Sequence, residues 1–322
     1  MRVPLLDLKP QLEPLREEIM AAVAEVIDST RYIMGPQVER LEEHIAAYCG
    51  ARYGVGVSSG TDALLVALMA LDVGPGDLVL TTPYTFFATM GSILRLGARP
   101  LFVDIDPVTY NIDPRLLAEA LAEDPDRTAA IKALLPVHLY GQCADMEAIS
   151  ALAAKYSIPV IEDAAQAIGA AFPMEEGGKR VWRRAGTMGS AGCFSFFPSK
   201  NLGGIGDGGM IVTDDEQLRE KMEIIRIHGS KAKYHHLLVG GNFRLDPVQA
   251  AVIDLKLPHL PAWHKARRHN AKFFEHLFRQ SGLVEEGKVT LPRAVYQEAA
   301  AQETIEPDYH IYNQYVIRVS DR

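Results

Sequence analysis

Cys193-Phe-Ser-Phe-Phe-Pro-Ser-Lys-Asn-Leu-Gly-Gly-Ile-Gly-Asp-Gly-Gly209 leads straight into the apolar run Met210-Ile-Val-Thr213. One lysine, Lys200, sits among apolar, hydroxyl and glycine neighbours. The glycines permit a ligand or another backbone to come close. Gly204-Ile-Gly-Asp-Gly-Gly209 matches the pattern G-x-G-x-x-G, but a dinucleotide fingerprint lies between a strand and a helix, and this one opens a strand. The match is discounted. The strand at 209–213 follows a loop, not a helix, so it is expected to run antiparallel within its sheet.

Outward from that loop, short apolar runs alternate with helical patterns. Strand signals fall at 54–58, 78–82, 100–103, 131–137 and 159–162. Helix signals fall at 61–71, 85–96, 114–123 and 145–156, with an earlier one at 12–29 and later ones at 216–227, 247–257 and 261–281. This alternation predicts an α/β fold, a mostly parallel sheet covered by helices on both faces. The stretch 312–319 reads as a strand opening a second, smaller domain. The expected division is a large α/β domain over 1–245, then connecting helices and an incomplete small domain over 246–322.

The chain has 322 residues, 48% of them hydrophobic, enough for one large core and a smaller domain besides. A formal charge of −8 argues against nucleic-acid binding, which calls for basic stripes. Apolar runs are too short for a membrane span, and the first residues lack the apolar core of a signal peptide. Cys49, Cys143 and Cys193 are widely spaced and odd in number, so neither disulfide nor zinc spacing is present. A reducing cytoplasm is the simplest compartment.

Four segments carry chemistry. Pro159-Val-Ile-Glu-Asp-Ala-Ala-Gln166 reads as a buried strand ending in Asp163, at the strand end where parallel sheets bind ligands. Taken alone, Asp163 reads rather as a cap on a following helix, and Gln166 as a solvent-exposed amide on that helix. Val55-Gly-Val-Ser-Ser-Gly-Thr61 runs from strand to Ser/Gly turn to helix. The free N–H groups of Gly60 and Thr61 there make a phosphate seat, or else an ordinary capped helix start. Phe86, after the next strand, is placed to stack on a flat ring or to pack in the core. Lys200 is the fourth. A lysine and a strand-end carboxylate together are what pyridoxal phosphate (PLP) needs: an amine for the Schiff base and a carboxylate for the pyridine nitrogen. His138, His235 and His236 lack partners at metal spacing and are read as structural or merely polar, with no metal site.

These segments resemble the DegT/DnrJ/EryC1/StrS family of PLP-dependent sugar aminotransferases, of the aspartate-aminotransferase fold (fold type I). The resemblance runs through Pro4-Leu-Leu-Asp-Leu8, Tyr32-Ile-Met-Gly-Pro36, Ser59-Gly-Thr-Asp-Ala63, Glu162-Asp-Ala-Ala-Gln166, Ser195-Phe-Phe-Pro-Ser-Lys-Asn201, Gly206-Asp-Gly-Gly209, Gly241-Asn-Phe-Arg-Leu-Asp246 and Gln249-Ala-Ala251, nearly the whole chain in family order. It implies that Lys200 carries the cofactor, Asp163 pairs with the pyridine nitrogen, and Gln166 contacts the phenolic oxygen. Phe86 would stack on the ring, and Gly60, Thr61 and Ser195 would bind the phosphate. Asn242 would reach the phosphate of the neighbouring subunit, implying a homodimer with shared sites, and Arg244 would face substrate.

The implied reaction moves an amino group from L-glutamate to a keto group of a nucleotide-linked sugar. That step belongs to amino-sugar biosynthesis for a lipopolysaccharide, another surface polysaccharide or a glycoside. Asn242-Phe-Arg-Leu-Asp246 and Arg226-Ile-His-Gly-Ser-Lys-Ala-Lys-Tyr-His-His236 look closer to the 3-aminotransferases, so C3 is favoured over C4. The alternatives are a sugar dehydratase, in which histidine replaces the lysine, and a non-catalytic regulator. Two departures from the family pattern stand out. The stretch 172–184 is longer and more charged than usual, suggesting a flap or a partner contact, and members usually continue well past Tyr312.

Overall fold

The structure, a computed structural model, describes residues 6–232 and 235–320. Pro4 and Leu5 of the N-terminal motif, and Lys233 and Tyr234 of the basic segment, lie outside the described residues.

Nine strands matter for the site: β1 (Tyr53–Val57), β2 (Leu78–Thr81), β3 (Arg99–Phe102), β4 (Ile131–Leu134), β5 (Ile161–Asp163), β6 (Ala171–Glu176), β7 (Lys179–Arg184), β8 (Ala191–Ser195) and β9 (Gly209–Thr213). β3, β2 and β4 pair in parallel. Parallel bridges from Leu134 to Val160 and from Val137 to Asp163 carry the sheet on to β5. β5 pairs in parallel with β8, β8 antiparallel with β9, and β9 antiparallel with β1. The sheet therefore runs β3-β2-β4-β5-β8-β9-β1, with β9 alone reversed, as its position after a loop predicts.

Neighbouring residues on a strand bury into opposite layers, as the period of two requires. Val79, Cys193 and Ile211 join the core under the helix Gly60–Ala70, while Leu80, Phe194 and Met210 face the other core, with Val38, Leu41 and Ile45 of the helix Pro36–Cys49. Because both faces are covered, these strands read as continuous apolar runs. The expected helices appear with small shifts at their ends, among them Phe87–Arg95, Pro114–Glu123, Met146–Tyr156, Glu216–Ile225, Pro247–Lys256 and Leu260–Gln280.

The charged stretch 172–184 is a hairpin. β6 and β7 pair antiparallel through Gly177 and Gly178, both at positive φ (57° and 76°), the conformation a two-residue hairpin turn demands. Arg180 donates to Gln302 (2.9 Å) and Trp182 Nε1 to Glu303 (2.9 Å), so the hairpin lies on the later part of its own chain.

Two expectations fail. No helix follows β5; residues 165–169 form turns, so Asp163 caps nothing regular. Of the strand expected over 312–319, only Arg318–Val319 pairs, with Val289–Thr290. The backbone around Ile311 is committed elsewhere. Its N–H donates to the Gly141 carbonyl (2.9 Å), and its carbonyl accepts from Asn201 Nδ2 (3.1 Å). A chain whose donors and acceptors are taken by loops has none left for a ladder.

Candidate active site

The C-terminal ends of β1, β2, β4, β5 and β8 open on one cavity of about 460 Å³, where parallel sheets bind their ligands. Gly60, Thr61, Phe86, Asp163, Gln166, Ser195 and Lys200 all line it. The sequence reading thus gathers seven of its nine site residues in one place. Asn242 and Arg244 do not line it.

At the β1 end, Ser59 caps the helix Gly60–Ala70, its hydroxyl accepting from the Asp62 N–H (3.1 Å). Gly60 and Thr61, the first two helical residues, have N–H groups outside the helix's own ladder. The segment is a capped helix, and its positive end lies at the cavity, where an anion would be favoured. Only glycine fits at 60, since a Cβ would lie 2.5 Å from Ser195 Cβ. The Ser195 hydroxyl oxygen accepts from the Phe197 N–H (3.3 Å), leaving its proton for a ligand. Gly60, Thr61 and Ser195 line the same cavity, with Gly60 packed against Ser195.

Asp163 is almost wholly buried. Its Oδ2 accepts from Thr89 Oγ1 (2.7 Å) and its Oδ1 from the Ala165 N–H (3.2 Å). Burial pushes the carboxyl above the ordinary aspartate range, and Thr89, the Ala165 N–H, Lys200 and His138 pull against that rise. Lys200 is shifted the opposite way: burial pushes its amine below the usual lysine range, and Asp163 opposes the fall. An amine that gives up its proton more readily is neutral more of the time, and the neutral form is the nucleophile.

The lysine loop is held from several sides. Its own N–H donates to the Phe197 carbonyl (2.8 Å), and Ile205 N–H donates to Gln249 (2.9 Å). Lys256, itself buried, donates to the Gly203 carbonyl. Asn201 receives Asn313 Nδ2 (2.8 Å) as well as donating to Ile311.

Gln166 Oε1 accepts from the Tyr140 N–H (2.7 Å), so the amide nitrogen is the end left to donate. Phe86 is 71% exposed, which rules out the core-packing alternative; its ring stands at the cavity mouth. Asn242 is exposed on a segment whose backbone bridges Ile227. Arg244 backs onto Val57 and lines a neighbouring concavity with Ser58, Asp62 and Asp246, which shares Ser59 and Asp207 with the main cavity.

His138 is structural, as its lack of metal-spaced partners implied. Its Nδ1 accepts from the Ala144 N–H (3.0 Å), so Nε2 carries the proton and donates to Glu162 (2.8 Å). Glu162, fully buried, also receives the N–H groups of Gly186, Met188 and Gly189. Among the described residues no cluster suits a metal ion, and no helix is long and apolar enough to cross a membrane.

Thr85, Thr89, Ser199, Asp207 and Gln314 belong to the site or its support but were not singled out from sequence. Thr85 and Thr89, one helical turn apart after a strand, were the available signal. Gln314 gave none, because its segment reads as a strand.

The profile of the DegT/DnrJ/EryC1/StrS aminotransferase family matches residues 13–306. A "Pleiotropic regulatory protein" of Geobacillus stearothermophilus is 49% identical over the whole chain, which covers 79% of that protein. A UDP-N-acetyl-3-dehydro-alpha-D-glucosamine 3-aminotransferase of Acidithiobacillus ferrooxidans is 45% identical over 85% of this chain and 71% of its own. Among solved structures, NtdA of Bacillus subtilis with the cofactor PMP bound superposes with a TM-score of 0.81 at 31% identity, covering 99% of this chain and 67% of the other. A lysine and a carboxylate at one cavity, with the positive end of a helix beside them, fit a phosphorylated pyridine aldehyde. The chain belongs to the DegT/DnrJ/EryC1/StrS aminotransferase family, with the fold of its PLP-dependent members and pyridoxal phosphate as its cofactor.

Proposed function

We propose that this chain transfers an amino group from L-glutamate to the C3 keto group of a nucleotide-linked sugar, as a cytoplasmic homodimer with shared sites. The observation that carries the reading is the meeting of Lys200, Asp163 and the Gly60–Thr61 helix start at one cavity. The sugar and its carbon rest on the Acidithiobacillus relative's activity and on the Asn242–Asp246 segment.

When bound, pyridoxal phosphate supplies an aldehyde that takes up and releases the amine, and a ring that draws electrons from the bond being broken. Lys200 Nζ would hold the cofactor through that aldehyde. Burial, which lowers its proton affinity, would leave the freed amine neutral and able to carry the proton between the substrate Cα and the cofactor carbon that bears the amine. Asp163, whose charged form Thr89 and the Ala165 N–H favour against burial, would pair with the ring nitrogen. The free amide nitrogen of Gln166 donates to the phenolic oxygen. Phe86 covers one ring face and shields it from water. Gly60, Thr61 and Ser195 hold the phosphate, Asn242 reaches the phosphate of a second copy, and Arg244 meets substrate.

The test offers the purified holoenzyme UDP- and dTDP-linked 3-keto and 4-keto sugars with L-glutamate. Amination of the 3-keto sugars with ping-pong kinetics is expected. Lys200→Ala should lose both this turnover and the lysine-linked cofactor trapped by borohydride. Amination confined to 4-keto sugars would move the regiochemistry to C4. The name of the Geobacillus relative favours a second, regulatory reading. Cofactor binding without turnover on any sugar would support it.

A further inference from the structure

Asp163 does not meet the cavity unaided. Thr89, fully buried on the helix Phe87–Arg95, lies 2.7 Å from Asp163 Oδ2, and Thr85 Oγ1 lies 2.8 Å from Thr89 Oγ1. Proton counting orders this chain. A carboxylate can only accept, so Thr89 spends its one proton on Asp163, and the Thr85–Thr89 bond must use the proton of Thr85. Thr85 lines the cavity and is left with an oxygen that can only accept.

We propose that Thr89 is a positioning residue for the reaction: its hydroxyl pins Oδ2 and keeps Asp163 ionised, so that the carboxylate is turned to the cavity through Oδ1, while Thr85 closes the chain and offers the ligand an acceptor. The proposal rests on Asp163 being the partner of the cofactor's ring nitrogen. Two features separate Thr89 from an ordinary satisfied core hydroxyl. Its partner is a buried carboxylate, and its other contact leads back to the same cavity. Hydrogen bonds to an ionised group count for more than neutral ones, and most of all where water is excluded.

Other groups bear on Asp163. Lys200 and His138 favour its charged form; His138 is itself bonded to Glu162. Cys193, on the strand beside β5, is buried and its thiol is pushed far up, so it stays neutral. Removing the Thr89 donor leaves the charged carboxylate worse supported, so its proton affinity rises. The protonated form, which cannot answer a pyridinium, then persists to higher pH.

The experiment titrates PLP into apo-protein across the acid-to-neutral range, reading affinity and the pH dependence of the bound cofactor's absorbance. Thr89→Val should weaken binding roughly 10- to 100-fold, the scale of a hydrogen bond to a charged group. It should also move the acid limb of the profile to higher pH. Thr89→Ser should restore both, and Thr85→Val should shift the limb less in the same direction. Asp163→Asn should abolish the limb. A wild-type affinity and limb in Thr89→Val, with the limb lost in Asp163→Asn, would overturn the role of Thr89 and leave that of Asp163. An Asp163→Asn protein that keeps the limb would overturn both. Should Thr89→Val not fold, an unshifted limb in Thr85→Val would overturn the hydroxyl chain.

Discussion

Glu162 and Asp163 are adjacent carboxylates, and nothing in their composition says which one does chemistry. The strand decides. Successive side chains point to opposite faces, so Asp163 lines the cavity while Glu162 turns to His138 and the N–H groups of 186–189. Asp163→Asn should keep the fold and bind cofactor but turn over about 100- to 1000-fold more slowly, the loss typical of removing one aimed electrostatic group. Single-turnover rates measure this; a loss under threefold would reduce Asp163 to a structural acid. Gly60 makes a steric argument instead. A Cβ there meets Ser195 Cβ at 2.5 Å, and Gly60→Ala should prise the helix start from β8. Overpacking of this kind costs about 1–3 kcal/mol. It should appear both as a lowered melting temperature and as a weaker PLP affinity, read by thermal unfolding and equilibrium titration. Lys200, Asp163 and Gly60 were legible because their residue types are unusual for their surroundings. Thr89 was not singled out: its spacing of four from Thr85 after a strand was the only hint, and a threonine inside a helix does not show what it faces.

Strands at this scale announce themselves, because a sheet covered on both faces must be written in short apolar runs. The reversed β9 was readable for the same reason, through the missing helix before it. What sequence could not give was the fate of segments whose backbone is satisfied by side chains. Residues 165–169 and 311–317 have apolar content but no ladder: Ala165 N–H goes to Asp163 and Gln166 Oε1 takes the Tyr140 N–H, while Ile311 is tied to Gly141 and Asn201, and Asn313 to Asn201. Asn201 is the pivot. It follows Lys200 directly, is buried, and ties the lysine loop to Ile311 and Asn313. Asn201→Ala leaves the Ile311 carbonyl and the Asn313 amide without that partner, a cost of about 1–3 kcal/mol. The wall carrying Gln314 should loosen with it. Thermal unfolding should show the stability loss, and kcat/KM for the sugar should fall further than PLP affinity. An unchanged kcat/KM beside a lowered melting point would make the clamp purely structural.

Viewed as a whole, the cavity is open at its rim. Phe86, Phe87 and Phe197, all more than half exposed, stand around the entrance or beside it, a large apolar area for one chain to leave in water. Asn242, which the family resemblance assigns to a phosphate, is exposed and absent from its own chain's cavity lining. The proposed two-fold dimer would account for both if each copy covered the other's entrance and contributed its Asn242, since such an interface is self-complementary. The prediction follows from counting sites. Lys200→Ala and Asn242→Ala subunits are each inactive or nearly so alone. In a hybrid, one site pairs an intact Lys200 with an intact Asn242, and the other has lost both. After full exchange half the dimers are hybrids, so mixing equal amounts should restore roughly a quarter of wild-type activity. If Asn242 served its own chain, every site in the mixture would lack one residue or the other, and activity would stay at the level of the unmixed variants.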